Sequence, residues 1–161
     1  MPWLVFLPFL RDNVAVLDCC NGLVLCSCVE VAGAGSRYVE YNLATKNLRL
    51  LPPSIHAVSL ARLGINPIAS SNFHVIEFVE HEDTECLGVE IYSSQTAAWI
   101  YKESEWGQNI YDVIRSRSAS VFRNGCLHIM GYSLILVVDI KGKTWRKISR
   151  PHGTLRSIHQ A

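Results

Sequence analysis

The chain has 161 residues, of which 49% are hydrophobic and 18% charged, and its formal net charge is +1. That length holds one domain with a sizeable core, and the composition excludes a disordered or solvating chain. The charge balance gives no reason to expect a phosphate backbone or an anionic membrane surface as partner, and no apolar run approaches the ~20 residues of a membrane helix.

Met1 to Leu10 are apolar but interrupted by Pro2 and Pro8, and no basic residue precedes the apolar stretch of the segment 1–13. They read as a ragged N-terminal segment or a first strand, not as a secretory signal. Val14 to Cys20 is a β-branched-rich run, followed by Asn21-Gly22 and a second run from Leu23 to Val31. Asn-Gly between two such runs predicts a hairpin, because both central residues of a type I′ turn need positive φ. Tyr38–Tyr41 and Leu48–Leu51 read as two further short strands, and Pro52-Pro53 ends the unit. A weaker copy follows, with strands predicted at Leu60–Ile65, Phe73–Val79, Leu87–Tyr92 and Ala97–Lys102. In this copy Asn72-Phe73 replaces Asn-Gly, so its first hairpin must turn differently. His56 to Leu63 has a weak helical alternative, with no capping box to introduce it. Glu103 to Ser118 shows no strand pattern and joins the second copy to a third. The third copy runs Ala119–Arg123, Asn124-Gly125, Cys126–Met130, Leu134–Ile140 and Thr144–Ile148, before Pro151 and a tail at 152–161.

The copies are periodic. Asn21, Asn72 and Asn124 fall 51 and 52 residues apart, Tyr41 and Tyr92 are 51 apart, and Leu48, Trp99 and Trp145 are 51 and 46 apart. A period near 50 with four short strands per unit is a kelch-like propeller signature. The expected fold is all-β: a partial β-propeller of about three four-stranded antiparallel blades, at about 14–53, 58–102 and 118–151. Three blades are fewer than a closed ring uses, so an open arc is expected. Stacked blades cover both faces of each sheet, which accounts for runs such as Leu134-Ile135-Leu136-Val137-Val138. Asn21, Gly22, Tyr41, Tyr92, Asn124 and Gly125 are expected to be structural blade positions, and Trp99 and Trp145 wedges between blades. The open ends would leave strand edges unpaired, so self-association is expected.

No catalytic constellation is present: there is no G-x-S-x-G, no H-E-x-x-H and no P-loop. Six cysteines without an N-x-S/T acceptor read as free thiols of a reducing compartment, and the CC and CxC spacings lack zinc-site geometry. Cofactors and metals are therefore not expected. Cys126 and His128, at alternate strand positions, form the strongest thiol–imidazole pair for an enzyme alternative, but no orienting acid is evident. His74 and His128, 54 residues apart, read as equivalent repeat positions. An acidic stretch runs from Glu77 to Glu90, and six basic residues without an acid lie between Lys141 and Arg156. These runs read as solvated loops and tail, or as complementary contacts with a partner. Trp106 and Tyr111, in the irregular connection, are the candidate partner-binding residues.

Several segments together resemble the plant F-box-associated β-propeller domain: LDCCNGLVLCSC (Leu17–Cys28), YNLATKNLRLLPP (Tyr41–Pro53), LGINPIASSNFHVIEF (Leu63–Phe78), VEIYSSQTAAWIYKESEWG (Val89–Gly107), SVFRNGCLHIMG (Ser120–Gly131) and VVDIKGKTWRKISRP (Val137–Pro151). They cover most of the chain after about Leu17. The family's Tyr-Asn-Pro-x-Thr-x-x-Trp turn is altered, with Leu43 and Leu48 at the proline and tryptophan positions. The resemblance implies a non-catalytic substrate-recognition module of a cullin-based ubiquitin ligase, intracellular, in the cytoplasm or nucleus. In that family an N-terminal F-box docks on Skp1 while the propeller presents a target protein. Residues 1–14 are too few for an F-box, so Skp1 is expected as a partner only where an F-box is supplied upstream. The alternative is a truncated stand-alone propeller fragment. Neither nucleic acid nor membrane is an expected partner.

Overall fold

The computed structural model describes residues 14–29, 36–54, 60–66, 68, 70–80, 87–106, 110, 113–114 and 119–150. Twelve strands are present among them. β1 (Val14–Cys20), β2 (Leu23–Val29), β3 (Ser36–Asn42) and β4 (Leu48–Leu50) form the first sheet. β5 (Ala61–Ile65), β6 (Phe73–Glu80), β7 (Leu87–Ser93) and β8 (Ala98–Glu103) form the second. β9 (Ser120–Arg123), β10 (Cys126–Met130), β11 (Leu134–Asp139) and β12 (Trp145–Ser149) form the third. Each is a four-stranded antiparallel meander whose strands neighbour one another in chain order. The fold is thus all-β, three stacked blades of an open propeller. The helical alternative at 56–63 is overturned where it can be seen, since Ala61–Leu63 lies in β5. Extended backbone there buries Ala61 and Leu63 against the first blade, which one helical turn would not do.

Turn chemistry follows the residues. Asn21 and Gly22 have φ of 48° and 81°, and Asn124 and Gly125 have 53° and 73°, the left-handed pairs an Asn-Gly hairpin needs. The middle blade lacks this pair and connects β5 to β6 through residues 66–72, where Ser70 N–H donates to the Asn66 carbonyl and Asn72 N–H to the Ser70 hydroxyl. Between the third and fourth strands, Asn42 Oδ1 accepts from Ala44 and Thr45 N–H, and Asp139 Oδ1 accepts from Lys141 and Lys143 N–H. These side-chain turns cap the loop without further residues. Leu43, at the family's proline position, keeps its backbone in place by donating its N–H to the Gly22 carbonyl.

Two cores lie between the blades. One joins the first and second, with Leu25, Tyr38 and Leu51 facing Leu63, Val75 and Tyr92. The other joins the second and third, with Ile76, Phe78 and Ile91 facing Leu127, Leu136 and Val138. The inner strands of the middle blade, β6 and β7, are covered on both faces and are apolar on both sides, whereas its edge strand β8 is largely exposed. Strand β5 lies beside β1 and β9, so the first strands of the three blades line one edge of the stack. There, a bulge between Val16 and Asp18 turns Asp18 toward the second blade. Its Oδ2 accepts the Leu63 N–H at 2.8 Å and its Oδ1 the Cys19 N–H at 2.9 Å. Burial pushes the Asp18 carboxyl upward, against the pull of these bonds and of Arg62. At the second junction Gly64 abuts the Phe122 ring, with no room for a side chain.

Candidate protein-interaction face

Trp99 and Trp145 pack at the blade junctions. Trp99 is in register with Tyr92, and its indole N–H donates to the Pro52 carbonyl across the first junction at 2.9 Å. Its ring lies 5.8 Å from that of Tyr38 and 5.3 Å from that of Tyr92. Trp145 is in register with Val138 and closes the second junction, its indole donating to the Gly142 carbonyl. Leu48 takes the same place on the first blade, opposite Tyr41, where it is exposed.

Trp106, expected to face a partner, is instead a core residue, 4% exposed. Its indole N–H is shared between the Val137 and Arg146 carbonyls, both at 3.1 Å, and its ring meets Trp145 edge-on at 4.6 Å. Ile110 and Ile114, on the same connection, are buried in the same core between the second and third blades. An irregular segment must still bury its large apolar side chains, and the sequence carries no signal separating that from surface display. Tyr111 lies outside the described residues, as does most of the acidic stretch at 80–86. Glu77 and Glu90, which bound that stretch, are not solvated: they sit opposite each other in β6 and β7, fully buried. Tyr38 of the first blade donates its hydroxyl to Glu77 Oε1 at 2.7 Å, and burial first, then the two carboxylates, pushes the Tyr38 phenol upward.

Among the described residues no group of three or more His, Cys, Asp or Glu side chains is gathered as for a metal. The five described cysteines are free, and Cys26 is buried with its thiol pushed up to about 11 by desolvation. A buried, neutral thiol is a poor nucleophile.

The outer face of the third blade is where chemistry-bearing side chains meet open surface. It carries a cavity of about 410 Å³ lined by Arg123, Asn124, Cys126, His128, Val137, Thr144, Arg146 and Ile148. Strand register explains the convergence: His128 lies opposite Val137, which lies opposite Arg146, and Cys126 lies opposite Arg123. Val121 and Ile148 flank the cavity and are exposed. Cys126 and His128 do share one face, but Asp139, the acid across from Cys126, is occupied by turn N–H groups. Burial disfavours the Asp139 charge, yet the bonds from Lys143, Thr144 and Lys141 outweigh it and hold the carboxyl below its ordinary range.

The register also corrects the reading of the histidines. Val24, Val75 and Leu127 each neighbour the residue paired with Leu48, Trp99 and Trp145, so they are equivalent. His128 is therefore the counterpart of Leu25 and Ile76, and His74 that of Leu23 and Cys126. Both Leu25 and Ile76 are wholly buried against a following blade. Of the residues that matter on this face, the sequence singled out His128 only as the partner of Cys126, and Arg123 and Arg146 not at all. His128 stands where both other copies carry an apolar side chain, whereas Arg146 matches Arg49 of the first blade and Ile100 of the second, and only the register aligns them.

No family model matches the chain. Against F-box protein At5g49610 of Arabidopsis thaliana it is 27% identical over 163 aligned residues, covering 90% of this chain and 44% of that protein. The chain is similar to plant F-box proteins. A second, F-box protein At5g07610 of the same plant, is 27% identical over 139 residues, covering 76% of this chain and 31% of the relative. The chain thus spans less than half the length of the curated relatives it matches. The first alignment covers 90% of the chain and so runs across all three blades rather than one motif.

Proposed function

We propose that this chain is a non-catalytic protein-interaction module, the target-recognition part of an F-box protein, acting in the cytoplasm or nucleus. The observation that carries the reading is the similarity to F-box protein At5g49610 over 90% of the chain, in a fold of three stacked antiparallel sheets. Blades are held by cores and inter-sheet bonds, which leaves the outer faces and turns free to contact another protein. In this reading a target is held by the propeller while Skp1, bound by an F-box in the same protein, supplies the link to a cullin-based ligase.

Affinity purification of the tagged gene product from plant cells tests it. Co-purification of Skp1, with a target whose abundance rises when the gene is silenced, is expected. Recovery of stable protein partners without Skp1 would remove ligase coupling and leave a free-standing interaction module. A rapidly and stoichiometrically alkylated cysteine tied to a turnover activity would overturn the non-catalytic reading.

A further inference from the structure

We infer that the cavity on the outer face of the third blade is a docking site for an extended, acidic peptide segment of a partner protein. The inference rests on the interaction-module reading and names the chemistry of its partner. Three observations carry it.

The first is charge. Arg123 and Arg146 both line the cavity, no carboxylate does, and among the described residues neither guanidinium is paired with one. Two unpaired guanidiniums over a partly apolar floor favour a planar, bidentate carboxylate partner.

The second is the departure from the stacking pattern. Where the first two blades place Leu25 and Ile76 to receive the next sheet, this blade places His128, whose Nδ1 is buried without a hydrogen-bond partner among the described residues. An apolar sheet laid here would face an imidazole and desolvate both exposed guanidiniums without partners. A ligand with oxygen acceptors satisfies the guanidiniums. His128 therefore selects against another greasy blade and for a polar occupant.

The third is dimension. Arg123 on β9 and Arg146 on β12 stand at opposite edges of one sheet, with β10 and β11 between them. Three strand spacings of ~4.8 Å across, and a two-residue offset of ~3.4 Å per residue along the strands, put them about 16 Å apart, the reach of about four to five residues of extended chain. Val137 and Ile148 supply the apolar floor for a side chain between two acids.

The test is fluorescence polarisation on the full chain with a labelled peptide in which two glutamates flank three residues, the middle one leucine. Its arms are the same peptide with glutamines, the same peptide with phosphoserines, and a single-stranded DNA oligonucleotide. Saturable binding of the glutamate peptide is expected, with at least tenfold loss for the glutamine peptide. R123A/R146A should weaken it at least tenfold, H128L several-fold, and K46A on the first blade not at all. Circular dichroism of each variant confirms the fold, both arginines being exposed. Absence of saturable binding at millimolar peptide, equal binding of the glutamine peptide, or an unaffected double variant would overturn the inference. So would tighter binding of the DNA, which would mark a nucleic-acid surface, or of the phosphoserine peptide, which would mark a phosphate site. Skp1 co-purification by R123A/R146A should be unchanged, so failure of this site and failure of the ligase reading give different results.

Discussion

Replacing Gly64 by alanine would put a methyl group into the Phe122 ring. A Cβ at residue 64 would stand 2.5 Å from Phe122 Cδ2, 2.7 Å from Cε2 and 3.0 Å from Cγ, whereas carbon atoms rest at ~3.5–4.0 Å. One of β5 and β9 must therefore move by about 1 Å, or the ring must leave its place beside the core between the second and third blades. Overpacking of this kind costs about 1–3 kcal/mol, offset by ~0.4–1 kcal/mol because alanine has less freedom to lose than glycine. The net loss of about 0.6–2 kcal/mol, at ~2–4 °C per kcal/mol for a chain of this size, lowers the melting temperature by about 1–8 °C in calorimetry. F122L trims the ring, so the G64A/F122L double variant should lose less than the sum of the single losses. G125A serves as contrast: nothing lies within 4 Å of its Cβ, but its φ is +73°, so its cost is local and F122L should not relieve it. If G64A melts with the parent protein, or adds to F122L without coupling, the side-by-side stacking of the second and third blades is wrong.

Other outcomes follow from the junctions and buried groups. Y38F removes the hydroxyl that donates to the buried Glu77 and should lower stability by about 1–3 kcal/mol in urea denaturation, although the two side chains are 39 residues apart in sequence. W106A should unfold or nearly unfold the protein, losing about 3–5 kcal/mol, so any loss of partner binding in it would track the far-ultraviolet circular dichroism signal rather than a lost contact. Burial lowers the His74 pKa from 6.5, so the unfolded chain takes up this proton first as pH falls. Stability should then drop on acidification from about pH 6.5 down through the folded pKa, and H74Q should flatten that part of the profile. Alkylation followed by peptide mass spectrometry should label exposed Cys19 well before Cys26, whose thiol is buried and pushed up to about 11; preferential labelling of Cys26 would contradict its place in the first blade.

Local chemistry made much of this fold readable from residues alone. Asn21-Gly22 and Asn124-Gly125 demand left-handed backbone, and the period near 50 implies a repeated unit that must hide its faces against its neighbours. Strand ends were read to within about two residues, and Trp99 and Trp145 to their junctions, because a tryptophan at a repeated strand position has few other places to bury its area. What bridges one blade to another was not legible. Tyr38 meeting Glu77, Asp18 meeting Leu63 and Gly64 meeting Phe122 join residues 39 to 58 positions apart, and nothing in sequence spacing pairs them. Glu77 and Glu90 looked like part of a solvated acidic run, and only the packed sheet shows them inside. Trp106 looked displayed, and only the packed core shows it sealed. Periodicity reports which side chains share a face, whereas only the stacking of sheets decides what that face meets. The cluster of Arg123, His128 and Arg146 belongs to the second kind, because three strands bring it together on one face of the third blade.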